Sequence, residues 1–165
     1  METNHIAEIL QDLERRDIYK VSKRGVTKDL EKQLEMLCSE YRNGSPDSRG
    51  ALTAAINHGK ATNRAQWFLL SFSSHMATRA MQCNDKGALG SGIIALHLSN
   101  IANIDLRDSF GAINKLAFSA QQCDVEVTEY ASLICFDLAP AIVEFMKSPG
   151  YRIERSGFPD GSCIR

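Results

Sequence analysis

Apolar side chains recur along most of this chain at intervals of three and four, the period of a helix face, and alternate with polar ones only near the C-terminus. Ile6, Ile9, Leu10 and Leu13 predict a first helix from Asn4 to about Tyr19, capped by Thr3 or Asn4. Lys20 to Thr27 loses the period and reads as a connection. Thr27 is placed to cap a second helix whose buried stripe is Leu30, Leu34, Leu37 and Tyr41 and whose wet face carries Asp29, Glu31, Lys32, Glu35 and Glu40. Turn formers at Asn43-Gly44-Ser45 follow, and Pro46 suits the first position of a short helix reaching Asn57.

Thr62 or Asn63 then opens a longer helix through Trp67, Leu70, Met76 and Met81, apolar on more than one side and therefore expected to be largely buried. A further helix is predicted from Lys86 to Asn103, with Gly87, Gly90 and Gly92 offering close approach to a neighbour. Asp105 caps the next, which runs through Phe110, Ile113, Leu116 and Phe118 to Gln122. The last apolar region, Val127 to Met146, should be divided near Ala139, because Pro140 removes a backbone donor. Tyr151, Ile153, Cys163 and Ile164 alternate around Ser156-Gly157-Phe158-Pro159-Asp160-Gly161 and predict a small β-hairpin leaning on the helical body.

The expected fold is an all-α single domain of about six or seven antiparallel helices, as a bundle or a short α-solenoid, with a C-terminal β-hairpin. An N-terminal helix pair (1–45), a helical core (46–147) and a hairpin or tail (148–165) would make up that domain. Hydrophobic residues at 44% and charged residues at 24% agree with a folded chain and exclude an intrinsically disordered one. Nineteen basic and twenty acidic residues nearly cancel, so no overall field would draw nucleic acid or an anionic membrane. No apolar run approaches the roughly 20 residues of a bilayer span. No secretion signal opens the chain, and five dispersed cysteines read as reduced thiols, so cytoplasmic residence is the expectation.

Candidate chemistry is sparse. No Cys-x2-Cys or His-x3-His spacing offers a ready zinc site, and no cofactor is expected. Gly87, Gly90 and Gly92 do not make the phosphate-cradling pattern, and no strand precedes them. Cys38 and Cys135 fall on apolar helix faces and read as core, Cys83 and Cys123 near helix ends as more exposed. His97, in a nearly apolar segment, and His75 read as core histidines satisfied by a neighbour. Asp105 and Asp108 are accounted for by capping and the helix dipole rather than by acid/base work. One local basic run includes Arg15, Arg16, Lys23 and Arg24, with Lys20 and Lys28. It offers contact to phosphate or to an acidic partner, with a solvated connection as the simpler account, since aromatics for base stacking are absent apart from Tyr19.

The run Ile104-Asp105-Leu106-Arg107-Asp108-Ser109-Phe110-Gly111-Ala112-Ile113, and more loosely Arg49 to Ile56, resembles the start of the second helix in HEAT-like repeats, over residues 45–147. That resemblance implies a scaffold presenting Arg49, Arg64, Arg79, Arg107 and Asp108 to another protein. The chain also resembles small bacterial helical proteins of the immunity kind, which implies an inhibitor of a partner toxin. Gly111 inside the helix and the absence of a regular period depart from the repeat pattern. The expectation is a non-enzymatic protein-binding module whose partner is another protein, a second copy of the chain included. The alternatives are a small enzyme using a Cys/His pocket between helices, and a weak nucleic-acid binder acting through residues 15–28.

Overall fold

A computed structural model describes residues 2–58, 64–99 and 106–134, with positions 140, 143 and 147. The described elements are all helical: α1 (Glu2–Arg15), α2 (Ile18–Arg24), α3 (Lys28–Asn43), α4 (Pro46–His58), α5 (Arg64–Cys83), α6 (Lys86–Leu98), α7 (Leu106–Gln122) and α8 (Val127–Ile134). The expected β-hairpin is corrected on this point, because no strand occurs among the described residues and the fold is all-α. Positions 151–165, where that hairpin was placed, lie outside the described residues, as do the expected caps at Thr62 or Asn63 and at Asp105.

Helix α6 ends at Leu98 with Ser99 as its C-cap rather than at Asn103, α1 begins at Glu2 ahead of the expected caps Thr3 or Asn4, and two more boundaries differ near the N-terminus. The first helix stops at Arg15 rather than near Tyr19, and the supposed connection after Lys20 carries most of α2. Arg16 accounts for the break. Its guanidinium reaches Asp12 at 3.3 Å, Asp29 at 2.5 Å and Gln33 at 2.7 Å, drawing the end of α1 onto the start of α3. The side chain of Arg64, at the start of α5, donates to the carbonyls of Glu14 at 2.8 Å and Arg16 at 3.0 Å, groups a helix end leaves without partners. The chain then resumes in α2, which Gly25 ends with φ +80° and an N–H bonded to Val21 O at 2.9 Å.

Helix α5 lies at the centre. It packs against α6 and α7 most extensively, and also against α1, α3 and α4, which makes the arrangement a bundle around one axis. Phe68, Leu69, Phe72 and Ala77 of α5 are fully buried, in one cluster with Leu13, Leu34, Leu37, Ile56, Leu89, Ile93 and Leu116 from the surrounding helices. Small residues let the axes approach. Gly92 of α6 faces Ser73 and Met76 of α5 and Leu116 of α7, so the close approach expected of the α6 glycines is realised there.

Hydroxyls and thiols stitch the same seams. Ser73 Oγ donates to Gly92 O at 2.7 Å, Ser119 Oγ to Ala77 O at 2.5 Å, Cys38 Sγ to Ser91 O at 3.6 Å and Cys123 Sγ to Ala80 O at 3.5 Å. Each buried polar group is thereby satisfied by a carbonyl of the neighbouring helix. Helices α5 and α7 end alike: Asn84 (φ 49°) and Asp124 (φ 59°) take the left-handed conformation, and the next N–H bonds back to Ala80 O or Ala120 O.

A candidate binding cleft between α2, α5 and α7

Most of α5 is covered, but one stripe is not. Trp67, Leu70, Ser71, Ser74, His75 and Thr78 recur at three and four residues and share one face of the helix. All six are half-buried. They form the floor of an open cleft of about 530 Å³. Val21, Gly25 and Val26 of α2 and its following loop make one wall; Gly111, Ala112 and Lys115 of α7 make the other.

The floor is graded in polarity. At one end Trp67, which packs edge-on to Phe68 with ring centroids 5.4 Å apart, joins Leu70 in an apolar patch. At the other end His75 lies over Phe72, centroids 6.4 Å apart, and its Nε2 stands 3.6 Å from Glu31 Oε2. The second oxygen of Glu31 takes a 2.6 Å ion pair from Arg79. His75 was expected to be a core histidine, yet its side chain is 37% exposed and lines the cleft. Its neighbour Phe72 takes the core position instead.

Gly111 has no steric reason to be glycine. It sits within α7, its φ is not in the left-handed region, and a Cβ added there meets no described atom within 4 Å. A glycine inside a helix costs roughly 1 kcal/mol relative to alanine. What the missing side chain does at this position is leave the wall of the cleft clear.

Three of the arginines singled out in the sequence, Arg49, Arg64 and Arg79, make contacts within the fold. Arg49 Nε and Nη2 donate to the carbonyls of Tyr41 at 2.7 Å and Arg42 at 2.9 Å, closing the end of α3, while its guanidinium lies 4.9 Å from the centre of the Tyr41 ring. Arg64 closes α1, and Arg79 joins α5 to α3 through Glu31. The side chains of Arg107 and Asp108 lie outside the described residues. Of the basic run, Arg16 is held by Asp12, Asp29 and Gln33, whereas Arg15, Lys23 and Arg24 are exposed.

Of the cysteines and histidines proposed for an enzyme, His75 alone lines this cleft among the described residues. His97 lies tilted against Tyr41, ring centroids 5.0 Å apart, and among the described residues neither it nor any cysteine lines the cleft. Cys123, expected to be exposed, is 2% exposed, because the turn at Asp124 folds its thiol back onto α5. Burial pushes that thiol above its ordinary value, with Asp85 adding to the effect and Lys86 opposing it. Among the described residues no three His, Cys, Asp or Glu side chains gather to hold a metal ion, and no helix is long and apolar enough to cross a membrane.

The spacing predicts α5 to be largely buried, whereas the stripe from Trp67 to Thr78 is left half-buried by its neighbours. No residue type in the sequence marks the cleft: Gly111 weakens α7, but Gly50 within α4 is equally unhindered and does not line it. Against known proteins, the chain matches no family model, no curated sequence and no solved structure. Neither the HEAT-like nor the immunity-type resemblance gains support from those comparisons.

Proposed function

We propose that this chain is a non-enzymatic protein-binding module and that the cleft between α2, α5 and α7 receives a segment of the partner. The observation that carries this reading is the uncovered stripe of α5 from Trp67 to Thr78, walled by α2 and α7, where Gly111 leaves one wall clear. The cleft is open along its length, whereas small-molecule sites enclose most of their ligand, so its form suits a stretch of polypeptide better than a metabolite. Half-buried Trp67, Leu70, Val21 and Val26 supply the apolar contact, and Ser71, Ser74 and Thr78 supply hydroxyls for a partner's polar groups.

Photo-crosslinking tests this in the cells that make the protein. A crosslinking residue at Ser71 should give a discrete protein adduct that one at the exposed Ala54 of α4 does not, and Gly111→Leu should remove it. The same adducts from both positions, or none from Ser71, would count against the module.

A further inference from the structure

We infer that the segment taken by the cleft is acidic and amphipathic, with carboxylates flanking an apolar anchor. This inference rests on the cleft being a protein-binding site and adds the chemistry of the occupant. Three observations converge on it. No carboxylate lines the cleft among the described residues, while Lys115 lines one wall. The opposite wall, Val21, Gly25 and Val26, lies within three residues of Lys20, Lys23, Arg24 and Lys28, all exposed and all without an ion pair among the described residues. Two carboxylates of α3 are already paired, Asp29 with Arg16 and Glu31 with Arg79, and Asp17 is the acidic residue that precedes the basic run. Cations thus lie on one wall of the cleft and along the segment that makes the other, on a chain whose formal net charge is −1, with Trp67 and Leu70 on the floor between them. Opposite charge at the rim raises the encounter rate and fixes orientation, and the buried anchor sets how long the complex lasts.

Trp67 is the chain's single tryptophan, so its emission reports occupancy of the floor directly. The test is a selection of peptides from a random library on the intact protein, counter-selected on Gly111→Leu, which blocks the wall with a better helix former. Melting curves of that variant should match or exceed those of the parent. Recovered peptides should be rich in Asp and Glu around Leu, Phe or Trp and should shift Trp67 emission. Reversing Lys23 or Lys115 to Glu should weaken them on the order of three- to tenfold each, and added salt should weaken them further.

Cleft-dependent peptides that are neutral or basic, and indifferent to Lys23→Glu and Lys115→Glu, would overturn the acidic occupant and leave the protein-binding cleft standing. A selection that returns no peptide preferring the parent over Gly111→Leu would overturn both. A thymidine oligonucleotide that shifts Trp67 emission and is lost on the same charge reversals, where acidic peptides do not bind, would replace the acidic segment by single-stranded nucleic acid.

Discussion

Two glycines one turn-half apart on α6 should respond in opposite ways to the same substitution. At Gly92 an added Cβ would stand 3.0 Å from Leu116 Cδ2 and 3.3 Å from the backbone oxygen of Ser73. Neither gives easily: Leu116 is 1% exposed, and the α5 backbone is tied to α6 by the Ser73 hydroxyl on Gly92 O. Overpacking of this kind costs roughly 1–3 kcal/mol, against about 1 kcal/mol gained in helix propensity, so Gly92→Ala should be destabilising by up to about 2 kcal/mol. At Gly90 the nearest atoms lie at the ends of flexible side chains, Nη2 of the exposed Arg42 at 2.5 Å and Cδ1 of the half-buried Ile134 at 3.3 Å. That guanidinium can swing aside, so Gly90→Ala should be neutral or stabilising by up to about 1 kcal/mol. Urea melts at matched protein concentration measure both, and for a domain of this size each kcal/mol should move Tm by roughly 2–4 °C. Equal shifts in the two variants, or a Gly92→Ala more stable than the parent, would refute the claim that α5, α6 and α7 meet at Gly92 without room for a methyl.

Further outcomes follow from particular contacts. Arg64→Met should cost about 1–2 kcal/mol and speed amide exchange at the end of α1, because the carbonyls of Glu14 and Arg16 lose their donor; exchange rates unchanged in α1 would contradict the capping role. Gly25→Ala should cost about 1 kcal/mol with no steric component, since φ is +80° and a Cβ meets no described atom, and Gly25→Asn should recover part of it in thermal melts. Asp124→Gly should raise stability by a few tenths to about 1 kcal/mol by relieving a left-handed non-glycine residue, which differential scanning calorimetry would resolve. Burial raises both the Cys123 thiol and the Tyr130 hydroxyl above their ordinary values of 9.0 and 10.0. The folded chain therefore holds these protons longer than the unfolded one, so stability is intact below about pH 9 and falls as pH rises through the folded values. Urea melts from about pH 8 to about pH 10 should show that decline, and Cys123→Ala should remove its earlier part.

Much of the bundle was legible because burial imposes a period. The stripe of α3, Leu30, Leu34, Leu37 and Tyr41, is read directly from spacing, and all four are buried; Thr27 caps as expected, its hydroxyl taking the Leu30 N–H at 3.3 Å. Pro46, Asn84 and Cys123-Asp124 likewise mark real boundaries through local backbone chemistry. What escaped depends on contacts distant in sequence. The break at Arg16 is made by Asp29 and Gln33 on another helix, and the burial of Cys123 by the carbonyl of Ala80. The cleft was hidden for a related reason: its floor is the part of α5 that no neighbour covers, and coverage is a property of packing rather than of composition.

The thiols of Cys38 and Cys123 sit on two different seams, one between α3 and α6, the other between α7 and α5, and both are 2% exposed. A slow alkylating reagent can reach them only when the respective seam parts, so the chain carries two internal clocks for sub-global opening. If the N-terminal helices detach as a unit before the central three separate, Cys38 will be labelled at a rate that depends weakly on denaturant, while Cys123 will follow the global unfolding equilibrium. Equal rates would mean that the molecule opens all at once.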